Sequence, residues 1–416
     1  MIRDLDRDVK IILLARALRS FAFSNLNVVF AIYLAKLGYA TLTIGIVHSV
    51  AYISGAILSA VWGFSSDRFG RKKILILLSV LTMISTSIYI FSTRLEMILL
   101  AVILVNVGAG GTAGGGQGGG PFNPVEQAFL AEKCEPAERN RIFGIMAFIG
   151  SVLGSLGALA AGLPEYLQEA MGWNPIASYR PLFGLTLLFC IAFIFLYRSL
   201  LEEPRPRQTR RIISKKSGIF VTKMSLLGIV DNLGAGMLSP LISYWFYLRY
   251  GVELKALGVL FFLSYMLAAI SFLVAPLIAH RIGVVRTMAF SHGIASLLYL
   301  ILPFAPTFFS AGVLMVLRSF LAYMDNPLRE SYTMAMVKSG ERGSAAGVTN
   351  LARVVPFGVS PTISAYVMQS VSLSVPLLIG GSLQLAHDIT FYFMFRHERP
   401  PEEARVREMT VEGIKG

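Results

Sequence analysis

Charge is scarce in this chain. Asp, Glu, Lys and Arg make up 15% of its 416 residues, against roughly 25% in soluble domains. With 55% apolar residues and a mean hydropathy of +0.65, a soluble fold could not cover itself with polar surface. Disorder, coiled coil and a soluble globular enzyme are excluded on the same ground. Cysteine is nearly absent: Cys134 and Cys190 cannot build a disulfide framework and have no metal-ligand spacing. No cleavable signal is expected from the first residues, where ten of alternating charge run directly into a long apolar stretch with no small-residue cleavage site. No Gly-Lys-Ser/Thr, His-Glu-x-x-His or Gly-x-Ser-x-Gly motif occurs, so no catalytic residue, metal ligand or cofactor is assigned.

What the sequence has is apolar length. Segments of about 20 residues, enough to cross a bilayer, recur at 10–36, 42–64, 74–92, 97–132, 142–163, 181–200, 220–248, 256–279, 286–302, 308–337, 345–370 and 375–395. The pattern predicts an all-α membrane protein of twelve transmembrane helices. Twenty-seven of the 37 Lys and Arg fall on the side shared by the two termini and five on the other, the rest lying within spans. By the positive-inside rule both termini are expected in the cytoplasm, in a cell (plasma) membrane. The net charge of +13 then marks cytoplasmic loops and lipid contact, not nucleic-acid binding.

The chain repeats itself. At an offset of 213, Gly38 matches Gly251, Gly45 matches Gly258, Tyr52 matches Tyr265 and Gly70 matches Gly283. At an offset of 203, Asn123-Pro124 matches Asn326-Pro327, Glu138-Arg139 matches Glu341-Arg342, and Gly144 matches Gly347. The copies lie six spans apart, so both have the same orientation in the membrane. Residues 1–200 are expected to form one six-helix half and 219–395 the other, joined by a basic linker at 201–218 and followed by a cytoplasmic tail at 396–416. The ten-residue change of register falls in 108–120, where nine of thirteen residues are Gly. Glycine costs up to about 1 kcal/mol per helical position relative to Ala, and 97–134 is too long for one straight helix across a bilayer. The fourth span is therefore expected to bulge or break there. Asn123-Pro124 and Asn326-Pro327 are expected to kink the fourth and tenth helices, since Pro frees a carbonyl.

Between the second and third spans the chain reads Gly63-Phe-Ser-Ser-Asp67-Arg68-Phe-Gly70-Arg71-Lys72. This resembles the G-x-x-x-D-R-x-G-R-K signature of the major facilitator superfamily, at its expected place, and the resemblance extends over essentially the whole chain. It implies two pseudo-symmetric halves around a central cavity lined by the first, fourth, seventh and tenth helices, with Gly63, Asp67, Arg68, Gly70, Arg71 and Lys72 serving as a gate loop. Two departures weaken a drug-antiporter assignment. Leu104 stands where such antiporters carry an Arg in L-x-x-x-R-x-x-x-G on the fourth helix, and Gly150, Gly154 and Gly157 on the fifth are not accompanied by proline. Arg318 does follow Leu314 in an L-x-x-x-R pattern on the tenth helix.

An ionisable group inside a span costs at least about 2.5–3.5 kcal/mol on insertion scales, which makes it a functional candidate. Arg16 and Arg19 lie on the first span, Glu126 on the fourth, Asp231 on the seventh, and Arg318, Asp325, Arg329 and Glu330 on the tenth. All are on helices the resemblance assigns to the cavity. Asp231, the most central acid, is the candidate proton carrier, or else the ion-pair partner of Arg318 or Arg329. Glu126 and Asp325 could latch to Arg16, Arg19 or Arg353. The four arginines could hold an anionic group. His48, His292 and the His387-Asp388 pair read as polar spots without a ligand role. The leading expectation is a monomeric secondary transporter exporting hydrophobic or amphipathic compounds with protons. The alternatives are an organic-anion uptake or exchange carrier and, in another class, a non-transporting receptor or scaffold.

Overall fold

The computed structural model describes residues 6–105, 120–133, 139–201, 214–338 and 341–398. Among these residues the secondary structure is helical, with no strand. Ten helical segments are long and apolar enough to cross a membrane. The helices of the first half are α1 (Arg7–Lys36), α2 (Thr41–Phe69), α3 (Arg71–Phe91), α4 (Leu95–Leu104), α5 (Phe122–Lys133), α6 (Arg139–Leu159) leading into α7 (Leu163–Met171), and α8 (Arg180–Arg198). Those of the second are α9 (Lys215–Leu238) with α10 (Ile242–Tyr250), α11 (Leu254–Ile282), α12 (Val284–Ile301), α13 (Phe308–Met336), α14 (Arg342–Ser370) and α15 (Val375–Phe395). The bundle has two ends: one bears the termini, and the other is called here the far end. Most of the Gly-rich stretch, the linker segment 202–213 and the tail beyond 398 lie outside the described residues.

The repeat is visible in backbone geometry. Gly70 joins α2 to α3 at φ +94, and its repeat equivalent Gly283 joins α11 to α12 at φ +94. This region is closed to most side chains, so glycine is required at both two-helix corners. Helix α4 stops at Leu104, with Val105 extended at φ −155, ψ 110, and the bulge or break expected within 108–120 falls almost entirely outside the described residues.

Two details differ from the sequence reading. The seventh span is two helices, interrupted at Ser239-Pro240-Leu241, because Pro240 has no N–H to continue the ladder. The prolines expected to form matched kinks are also unlike. Pro327 sits inside the continuous helix α13, whereas Pro124 lies in the first turn of α5, where a missing N–H leaves no bond unmade.

The two halves meet at the far end. Thr362 Oγ1 on α14 donates to Ser49 Oγ on α2 at 2.7 Å, and the backbone N–H of Leu42 donates to Gln369 at 2.9 Å. A Cβ placed on Gly45 would lie 2.3 Å from the Ala365 Cβ and 2.6 Å from the Pro361 carbonyl oxygen. Its repeat equivalent Gly258 on α11 approaches the Ala158 carbonyl in the same way, at 3.0 Å. The Lys255 N–H at the start of α11 donates to Glu165 at 2.8 Å, and its ammonium group pairs with Glu165 and Glu169.

Candidate functional site

Behind this closure both halves line a partly open space of about 560 Å³, a figure that includes open solvent. One half supplies Asn27, His48 and Tyr52. The other supplies Ser239, Pro240, Ile242 and Ser243 at the break in the seventh span, Phe261 and Tyr265 on α11, Tyr299 on α12, and Met315, Arg318, Ser319 and Tyr323 on α13. The 213 offset relates Asn27 to Pro240, His48 to Phe261 and Tyr52 to Tyr265, so the cavity is built from equivalent positions of both copies.

Among the described residues, Arg318 is the one guanidinium on this wall, and no Asp, Glu or Lys lines it. The side chain is buried, and its Nε has no hydrogen-bond partner. The guanidinium carbon lies 3.6 Å from the centre of the Tyr299 ring, a cation–π contact. His48 is fixed by a 2.9 Å bond between Nδ1 and the Ile44 carbonyl. That bond makes Nδ1 the donor and leaves Nε2 as an acceptor.

The other intramembrane charges are held apart from this wall. Arg19 grips Glu126 through two 2.6 Å bonds. Tyr197 donates to the same carboxylate at 2.7 Å, and the Phe122 ring packs on the guanidinium. Arg16 reaches Asn123 at 3.4 Å. In the second half Asp325 binds Arg329 one turn along α13. Arg329 NH1 also lies 3.3 Å from His387 Nε2. Asp388 takes His292 Nδ1 at 2.7 Å and His387 Nδ1 at 2.9 Å on one oxygen, and the Ser296 hydroxyl at 2.7 Å on the other. Asp231 faces His292 Nε2 at 3.8 Å and Gln384 at 3.4 Å. Its close partners are therefore these groups, with neither Arg318 nor Arg329 bonded to it. Glu330 is exposed on α13.

The two clusters correspond with their signs exchanged. The 203 offset places Arg329 where Glu126 stands, and the 213 offset places Arg19 beside Asp231. The signature loop is structural in its contacts. Arg71 donates to the Ala128 carbonyl of α5 at 2.8 Å, and Lys72 to the Leu200 carbonyl after α8 at 2.6 Å. A Cβ on Gly63 would meet Pro124 only at an ordinary 3.7 Å, so the packing there does not require glycine, and Arg68 lies over the Phe69 ring. The side chain of Asp67 lies outside the described residues.

Sequence reasoning missed the second-half histidines as partners of Asp231, and it missed Tyr299 and Tyr323 as cavity wall. The Tyr52–Tyr265 match was the available signal for the wall.

Two related six-span halves that touch at one end of a shared central cavity form the architecture of a membrane carrier. The chain belongs to the Major Facilitator Superfamily, whose profile matches residues 12–361, and it is a multi-pass membrane transporter. It is 22% identical over 426 residues to an uncharacterized membrane protein of Saccharomyces cerevisiae, covering 94% of both chains. It is 28% identical over 275 residues to Multidrug resistance protein MdtG of Escherichia fergusonii, covering 63% of this chain and 62% of that one. The solved inward-open xylose transporter XylE from E. coli aligns over 92% of this chain and 96% of that one. Its TM-score is 0.71 at 14% identity, a likeness of fold alone.

Proposed function

We propose that this protein is a proton-coupled secondary transporter that exports a small amphipathic solute by alternating access, working as a monomer in the plasma membrane with both termini in the cytoplasm. The observation that carries the reading is the cavity between the halves, closed at the far end by the Ser49–Thr362, Gly45–Pro361 and Lys255–Glu165 contacts. Under the positive-inside orientation that end is the outer one, and the conformation faces inward. The same contacts must part for the solute to leave on the other side. The relative named Multidrug resistance protein MdtG supports a drug-like, amphipathic solute. The receptor or scaffold alternative finds no support in a cavity lined from both halves.

In this reading the coupling proton is carried by the Asp231–His292–Asp388 group. With His387, it holds two carboxylates and two imidazoles inside the second half, away from the cavity wall. The pair in the first half, Arg19–Glu126, is fully saturated by its own partners and holds the helices. The test is reconstitution in liposomes with a pH-sensitive dye inside. Addition of an amphipathic solute should drive proton movement, and Asp231→Asn should abolish that movement while leaving solute binding intact. Solute flux with no proton movement in the wild type defeats the coupling, and the absence of flux for every solute defeats the transporter reading.

A further inference from the structure

Resting on the carrier reading, we infer that the solute is a monoanion with an aromatic body, a carboxylate held by Arg318 with its ring among the cavity tyrosines. Four observations lead there. Arg318 is buried in the wall of the cavity and has no carboxylate partner among the described residues. Its Nε has no hydrogen bond. A buried guanidinium without a counter-charge is expensive to maintain, and Arg does not lose its proton. Arg19 and Arg329 are each held by a carboxylate, and Arg16 by Asn123. Among the described residues Arg318 has only the neutral Tyr323 as a side-chain hydrogen-bond partner, and it lines the space a solute would fill.

The rest of the wall sets the class. One cation and no acid favour a single negative charge, since a dianion would leave its second charge unmatched. The planar fork of Arg matches a carboxylate through two parallel bonds. Tyr299 already covers one face of the guanidinium at 3.6 Å, so the anion must approach from its edge. Tyr52, Tyr265 and Tyr323, with Phe261, supply aromatic surface from both halves, which suits a flat ring in offset or edge contact. Ser239, Ser243 and the bare Nε2 of His48 provide a donor-and-acceptor rim for a hydroxyl or ring nitrogen on that body. An aromatic cation would meet Arg318 with like charge and gain no acid in return.

The test is a charge series on one skeleton, using purified full-length protein. The probes are 2-naphthoate, its neutral amide 2-naphthamide, the cation 2-naphthylmethylammonium, and cyclohexanecarboxylate as a non-aromatic acid. Binding is read by thermal shift, and flux is read in liposomes. Naphthoate is expected to stabilise the protein saturably, with the amide at least tenfold weaker, cyclohexanecarboxylate weaker and the cation without effect. Arg318→Gln should erase the preference for naphthoate over the amide, and Arg318→Lys should retain part of it. The wild-type series stands even if the Gln variant does not fold. Amide or cation binding equal to naphthoate, or an unchanged preference in Arg318→Gln, overturns the inference while leaving the transporter reading intact. Absence of binding and flux for all four probes, with flux of a neutral or cationic solute elsewhere, also overturns the inference alone. Absence of flux for any solute overturns the carrier reading on which it rests.

Discussion

Glu126 and Arg329 occupy equivalent positions of the two halves and carry opposite charge, each gripped by a partner of the other sign: Arg19 at 2.6 Å and Asp325 on the same helix. The first pair joins α1 to α5, so it is a tertiary bond, while the second joins two turns of α13. Removing one member of a buried pair leaves an uncompensated charge and costs about 3–5 kcal/mol. Glu126→Gln is therefore expected to lower the unfolding temperature in detergent sharply. The double variant Arg19→Met/Glu126→Leu should recover most of the loss, because neither charge remains to be desolvated. A double variant no better than the single one would show that the pair does more than balance charge.

Closure of the far end depends on two glycines. A Cβ on Gly45 meets Ala365 and the Pro361 carbonyl at distances real Cβ atoms do not adopt, and a Cβ on Gly258 is just tolerated against Ala158. Gly45→Val should force the halves apart there, and Gly258→Ala should do so more weakly. The measurement is thiol crosslinking of a Ser49→Cys/Thr362→Cys pair in a background with Cys134→Ser and Cys190→Ser. Crosslinking should be efficient in the parent and fall severalfold with Gly45→Val. Unchanged crosslinking in that variant would mean the approach is not required for closure.

The second-half cluster hinges on one oxygen of Asp388, which both His292 and His387 engage. Asp388→Asn should disorganise both rings and abolish solute-driven proton movement. Ser296→Ala removes one hydrogen bond to the other oxygen, worth about 0.5–1.5 kcal/mol, and should weaken coupling without abolishing it. The ratio of protons to solute in the two variants is the readout.

Glu341, at the start of α14, is held below its ordinary pKa of 4.5, first by a hydrogen bond from Ser217, then by Ser214 and by the nearby charge of Lys338. A carboxylate with a lowered folded-state value stabilises the fold above its unfolded pKa and loses that contribution as pH falls through the folded one. The contact between the starts of α9 and α14 should therefore loosen below about pH 4.5. Glu341→Gln should reproduce at neutral pH the amide exchange that acid produces at 214–218. Equal protection at pH 7 and pH 4 in the wild type, after correction for the intrinsic pH dependence of exchange, would rule this out.

Much of the architecture was legible because hydropathy and turn chemistry are local. Twelve apolar stretches and the matched Gly70 and Gly283 follow from short-range rules. The break at Pro240 was not legible in that way. Residues 220–248 stay apolar throughout, and a hydropathy window counts side chains without sensing an interrupted hydrogen-bond ladder. The charged residues of the site were identifiable one by one, but their partners were not. Asp231 meets His292 from α12 and Gln384 from α15, a choice fixed by the rotation of three helices about their axes. Tyr299 and Tyr323 left no trace in the sequence beyond being tyrosines, since only the folded bundle decides which of 16 faces the interior.

The interruption at Ser239–Leu241 has a mechanical meaning. Beyond it α10 carries Tyr244, whose hydroxyl lies 3.2 Å from that of Thr41 across the far end. Before it α9 carries Asp231. Ser239, Pro240, Ile242 and Ser243, at and just past this joint, form part of the cavity wall. The joint, part of the cavity wall and the contact to the opposite half therefore all fall within residues 239–244, so a change at any one of them bears directly on the other two.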